Sequence, residues 1–131
     1  MDKKLLITGC IFALMAVVLG ALGAHALEKV ITVDQLKSFE TGVRYQMYHA
    51  LALLIVAALP MISSTVKKVL FYLFTTGVIL FSVSIYLLST ASVWDMDFSF
   101  LGPVTPVGGL LLISGWAFLL WKIISNKSSN R

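Results

Sequence analysis

His25 and His49 are the side chains in this sequence best equipped for chemistry, because imidazole alone can donate, accept and ligate near neutral pH. Two imidazoles can share a metal ion or cap a haem, but such sites need further ligands. These two lie in different apolar blocks, with no Cys or carboxylate pattern beside them. Cys10 is the sole cysteine, which excludes an internal disulfide and a multi-cysteine metal site. It sits in an apolar run and reads as a small buried hydrophobe. Nucleophilic catalysis needs a nucleophile, a base and a group that orients the base, and no such set is visible. The six acids, Asp2, Glu28, Asp34, Glu40, Asp95 and Asp97, all fall at the ends of apolar runs or between them. The chain therefore reads as non-enzymatic, with no metal and no cofactor. A small proton-coupled exporter needs an acid inside a span, so that reading is disfavoured too.

The elements that must carry these residues are set by hydropathy. Of the 131 residues, 59% are hydrophobic and 12% charged, about half the charge of an average soluble domain. The apolar residues form four blocks, at about 5–24, 45–62, 69–90 and 104–124, followed by a polar tail at 125–131. A spanning helix needs roughly 20 apolar residues, so four spans use nearly the whole chain as one membrane domain. Ala24-His25-Ala26 imitates a signal-peptidase site, but the apolar run before it exceeds the roughly 7–15 residues of a signal core. The expected fold is all-α, an integral membrane four-helix bundle.

Charge sets orientation. Lys3, Lys4, Lys67, Lys68, Lys122, Lys127 and Arg131 fall on one side of a four-span chain, and only Lys29, Lys37 and Arg44 on the other. Both termini are therefore expected in the cytoplasm, in a cell membrane. The net charge of +4 is spread over block ends, where it meets lipid headgroups rather than nucleic acid. Trp94 and Trp121 suit the two interfaces, and Trp116 lies deeper, as a packing residue.

Thr32-Val33-Asp34-Gln35 has capping-box spacing. Val33, Leu36, Phe39 and Val43 follow at helical intervals, which predicts a short interfacial amphipathic helix that bends into block two at Gly42. Glu40 and Arg44 are spaced as an i,i+4 pair. Pro60 should stop block two, and Pro103 and Pro106 suit the opening of block four. In lipid, small residues allow close helix approach. Block one carries such a stripe in Gly9, Ala13, Ala16, Gly20 and Gly23. It is expected to lie centrally, with Gly77, Gly108, Gly109 and Gly115 receiving it; a homodimer seam is the alternative.

Counting depth at about 1.5 Å per residue gathers His25, Tyr45, Gln46, His49, Ser82, Ser84, Tyr86 and Thr105 toward the outer half. A hydrogen-bonded cluster is expected there. It either locks the bundle or forms a small outward-facing pocket.

The same residues carry a resemblance. Leu19-Gly20-Ala21-Leu22-Gly23-Ala24-His25-Ala26-Leu27 resembles an LGAFGAH-x-L signature. The run from Thr41 to Leu51 resembles TG-x-x-YQ-x-x-H-x-L, and Leu80 to Tyr86 resembles LFSGSLY. Thr105-Pro106-Val107-Gly108-Gly109 with Gly115-Trp116 resembles TP-x-GG…GW. Together they are similar to the domain of unknown function 423 family, small four-span membrane proteins that include transmembrane protein 256. Val83 departs from the pattern, standing where the family's SGS has glycine. The resemblance implies four membrane helices and supplies no substrate. The functional expectation is support of envelope integrity or of a membrane partner protein, with membrane lipids and a homo-oligomer as further partners. A transporter or channel component using the outward polar site is the alternative. A lipid, haem or quinone binder using His25 and His49 is the third.

Overall fold

A computed structural model describes residues 1–129, with side chains described through residue 126. Helix α1 is Asp2–His25, α2 is Val33–Ala58, α3 is Ser64–Val78, α4 is Ser84–Trp94 and α5 is Val104–Ser129. A π-helical turn, Ile79–Val83, joins α3 to α4 so that the two form one rod. Short 3₁₀ turns, Leu27–Lys29 and Ser99–Leu101, occupy the connections, and no strand occurs among the described residues.

Local chemistry explains the boundaries. The Thr32 N–H donates to Gln35 Oε1 at 2.9 Å and the Gln35 N–H donates to Thr32 Oγ1 at 3.2 Å, a complete capping box, worth about 1 kcal/mol. Helix α2 ends at Ala58 because Pro60 forces Leu59 into an extended conformation. Ser63 starts α3 by accepting from the Val66 N–H. Helix α4 ends on Asp95 in the left-handed region (φ 51), which a short polar side chain tolerates better than most. Beyond it, the Ser99 N–H donates to Asp97 Oδ1 at 2.9 Å, and that bond holds the Asp97 carboxyl below its ordinary range.

Three boundaries differ from those read in the sequence. No separate amphipathic helix forms, since residues 33–44 run into α2 without interruption. Gly42 is pinned there: a Cβ on it would lie 2.8 Å from Tyr86 Cε1. The second apolar block stops being helical at Ala58 rather than 62. The segment expected as a polar tail is helical to Ser129; residues 130 and 131, and the side chains of 127–129, lie outside the described part. Arg44 donates to Thr41 Oγ1 at 3.1 Å instead of pairing with Glu40.

The rods pack in an open sequence. Helix α1 lies along α2, α2 contacts both α3 and α4, and α5 lies along α3 and the π turn. The small-residue stripe of α1 is therefore spent on α2, and α1 is a flank, not the centre. A Cβ on Gly9 would lie 2.8 Å from Leu54 Cδ2, and one on Gly23 would lie 3.2 Å from Phe39. Ala16 is 1% exposed, and Ala13 is half-buried beside it. Gly20 is looser, with Val43 at 3.5 Å from its would-be Cβ. The core is Leu5, Leu53, Leu70, Phe74, Val78 and Leu112. Cys10 is exposed rather than buried. Leu14, Val17, Leu110 and Ile113 are exposed as well. Apolar side chains left bare in this number suit lipid rather than water. Among the described residues, three segments are long and apolar enough to cross a membrane: Asp2–Lys29, Ser64–Trp94 and Ser99–Asn126.

Candidate functional site: a ladder of polar contacts between helices

Asp2 meets Lys67, and Ile62 and Val66 share a cavity with Leu119 and Asn126. That end of the bundle is the terminal end, and the opposite one the distal end. The polar side chains between them form rungs at several depths.

At the terminal end Lys67, 6% exposed, donates from Nζ to Asp2 Oδ1 at 2.9 Å and to the Ala57 carbonyl at 3.0 Å. An ammonium on the last carbonyls of α2 is favoured by the helix dipole.

The next rung joins α2 to α5. Trp116 donates from Nε1 to His49 Nε2 at 3.0 Å. An indole N–H can only donate and a carbonyl can only accept. The His49 Nδ1, 2.7 Å from the Tyr45 carbonyl, must then carry the proton. His49 is thus a neutral imidazole of one tautomer, with its Nε2 lone pair spent on Trp116 rather than turned to a metal or haem. The Phe74 ring of α3 lies 5.2 Å from each of the two. It reaches that place because Gly115 has no side chain: a Cβ there would lie 2.5 Å from Phe74 Cε1.

Nearer the distal end, Gln46, 5% exposed, ties three rods. Its Nε2 donates to the Phe12 carbonyl of α1 at 2.8 Å, and its Oε1 accepts from the Tyr86 hydroxyl of α4 at 2.7 Å. Ser82 in the π turn is fully buried and donates to the Gly42 carbonyl at 2.8 Å. Ser84 Oγ pairs with Thr105 Oγ1 at 2.6 Å, joining α4 to α5.

The π turn sits at the tightest crossing. On one side Ser82 bonds α2; on the other a Cβ on Gly108 of α5 would fall on Phe81 N, and 2.8 Å from Phe81 Cα. Gly109 is less confined, with Phe81 ring atoms 3.7 Å from its would-be Cβ. The glycines of α3 and α5 therefore serve the α3–α5 seam and not α1; Gly77 meets Leu112 in the same way. Val83 is 44% exposed, so no helix approaches the position where the family pattern has glycine.

Of the eight polar residues picked from the sequence, Gln46 with Tyr86 and Ser84 with Thr105 pair directly. Ser82 and His49 bond elsewhere. Tyr45 is exposed and contributes its carbonyl; His25 is exposed at the end of α1 and joins none of these bonds. His49 lies past the middle of α2, nearer Ala58 than Val33, and so well away from the distal end. Trp116, Phe12 and Lys67 do not stand out in the sequence as polar partners. The Gly115-Trp116 pair is the one available signal, because a glycine beside an indole allows a neighbouring ring to close on it.

Comparison with known proteins agrees with the motifs. The model of the family described as "Protein of unknown function (DUF423)" matches residues 19–109. The chain is 42% identical over 120 residues to the UPF0382 membrane protein YwdK of Bacillus subtilis, covering 90% of this chain and 94% of that protein. It is 39% identical over 118 residues to a UPF0382 membrane protein of Staphylococcus aureus and 36% identical over 118 residues to one of Staphylococcus haemolyticus, covering 90% of this chain and 93% of each relative. No solved structure matches.

Proposed function

The chain belongs to the DUF423 family of membrane proteins, and from that premise we propose that it is a non-enzymatic four-span protein of the cell membrane. Both termini lie in the cytoplasm. Its role is mechanical: a hydrogen-bonded bundle that supports membrane integrity or a partner complex. Helix α2 supplies the remaining span. Its 26 residues extend about 39 Å at 1.5 Å per residue, against roughly 30 Å of hydrocarbon. The first turns, with Asp34 and Lys37, then project beyond the lipid as an amphipathic extension.

One observation carries the reading. The buried polar side chains Gln46, His49, Ser82 and Ser84 are each bonded to another helix or to backbone. Groups engaged in this way pin helices together and are poorly placed to pass a solute from one to the next. Interhelical bonds in lipid contribute about 0.6 kcal/mol each on average, enough in combination to select one packing.

A second reading has an observation of its own. A cavity of about 520 Å³ opens at the distal end, lined by Asp34, Gln35, Ser38, Ser89, Thr105 and apolar neighbours. It would suit a transporter component with an outward-facing site. Gene deletion tests the first reading: cells should gain detergent sensitivity or dye permeability, restored by the wild-type gene. Purified protein in sealed vesicles tests the second. Solute or ion flux that Asp34→Asn, in the wall of that cavity, abolishes would replace the mechanical reading. Substituted-cysteine labelling tests the topology on its own, with Lys37→Cys expected to react from outside and Lys68→Cys only from inside.

A further inference from the structure

The distal cavity of about 520 Å³ lies where α2, α4 and α5 meet. Its volume is that of a small-molecule site, roughly 300–1,000 Å³. All three helices bring polar side chains to its wall, and the bonds those side chains already make decide what each has left to offer.

A hydroxyl has one proton and two lone pairs. Ser84 Oγ lies 2.5 Å from the Leu80 carbonyl and 2.9 Å from the Phe81 carbonyl, so its proton goes to backbone. Thr105 is then the donor in the Ser84–Thr105 bond, and its own oxygen keeps its lone pairs. Ser89 gives its proton to the Ile85 carbonyl at 2.6 Å. Both wall hydroxyls are left as acceptors. The Asp34 carboxylate only accepts. It is in no ion pair among the described residues, where Asp2–Lys67 is the single one. Gln35 spends Oε1 on the Thr32 N–H, which leaves its amide N–H groups, and the Ser38 hydroxyl can act either way. Among the described residues no Lys, Arg or His lines the cavity.

A carboxylate and two acceptor hydroxyls, with no cation, suit a ligand that brings positive charge and N–H donors. An anion finds less. Pro103 and Pro106, where α5 opens, have no N–H, and the first turn of α2 already carries Asp34. A primary ammonium has three N–H donors, one for each acceptor.

Depth sets the rest of the ligand. Ser89 and Ile85 stand five and nine residues before Trp94, the last residue of α4. That is about 8 Å and about 14 Å from its end at roughly 1.5 Å per residue. Asp34 lies instead in the first turn of α2. In the four-span reading the cavity therefore crosses from headgroup level into hydrocarbon, with Asp34 at the water end and Ile85 and Leu88 toward the lipid.

We propose that the distal cavity binds a primary ammonium group carried on an apolar body, as in an aminophospholipid. Asp34 holds the ammonium charge, Ser89 and Thr105 accept its N–H groups, and the apolar part lies against Ile85 and Leu88. The site is the cavity of the transporter reading and rests on that reading for its outward opening, but binding there requires no flux.

The test is titration of the intact protein in mild detergent with a short-chain phosphatidylethanolamine, with the phosphatidylcholine of the same chains and with free ethanolamine. Binding is followed by thermal shift and native mass spectrometry. The ethanolamine lipid should bind saturably, about tenfold or more tighter than the choline lipid, whose nitrogen has no N–H. Asp34→Asn leaves the Thr32–Gln35 capping box intact and should remove that preference. Ser38→Phe, at an exposed position in the cavity wall, should keep the fold and lose binding. Ethanolamine that competes as well as the lipid supports the ammonium site and assigns it to soluble amines; ethanolamine that fails to compete assigns it to the lipid. Absence of saturable binding, equal binding of the two lipids, or an unchanged preference in folded Asp34→Asn would each overturn the proposal. Binding without flux in vesicles leaves the site standing and removes only the transporter reading.

Discussion

Trp116 of α5 reaches past Phe74 of α3 to donate to His49 of α2, over 3.0 Å. Among the described residues the backbones of α2 and α5 do not approach each other closely, so this bond links two rods across a third. It also fixes the proton on His49 Nδ1. In the neutral imidazole, ¹⁵N NMR should show a protonated Nδ1 and an unprotonated, hydrogen-bonded Nε2. The opposite tautomer would remove the Trp116 contact from the account.

Trp116→Phe keeps the ring against Phe74 and deletes the N–H. The expected loss is about 0.5–1.5 kcal/mol, in the range of single interhelical bonds in lipid, read by unfolding in mixed micelles. A larger effect from Trp116→Phe than from Trp116→Ala would contradict the hydrogen bond as its cause.

Gln46 and Tyr86 should be energetically coupled. Gln46→Leu and Tyr86→Phe each break the 2.7 Å bond, so the double variant should cost less than the sum, by about 0.6 kcal/mol and at most about 1.7 kcal/mol. Strict additivity would show that the bond contributes nothing.

Gly108→Ala should be among the most damaging small substitutions. Its methyl would land on the Phe81 backbone, which cannot move without unwinding the π turn, so a cost of about 3 kcal/mol or more is expected. Gly109→Ala and Gly20→Ala should lie within about 1 kcal/mol of wild type, since their new methyls meet nothing closer than 3.5 Å. Equal loss at Gly20 and Gly108, measured by folded yield and thermal stability, would refute the assigned seam.

Asp2→Asn should be mild. Asp2 is 59% exposed although its partner Lys67 is buried, and an exposed partner adds no more than about 1 kcal/mol. Lys67→Ala should cost more, because it also leaves the Ala57 carbonyl without its donor. The reverse order, measured by thermal unfolding, would assign the latch to Asp2.

The sequence determined the helical rods through their apolar runs, the start of α2 through Thr32 and Gln35, and its end through Pro60. Hydropathy and capping act over a few residues, so a linear chain displays them. Which rods touch was decided only in three dimensions. The stripe of α1 and the glycines of α5 look alike in sequence, yet one packs on α2 and the other on α3 and the π turn. The π turn admits an extra residue to one helical turn and shifts the register beyond it, so no single period connects Phe74 to Tyr86. Starting α2 at Tyr45 puts His49 near the distal end. The helix starts at Val33 instead, which carries the imidazole down to Trp116. A hydrogen bond between residues so far apart in the chain depends on depth and facing at once, and those are properties of the packed bundle rather than of either segment.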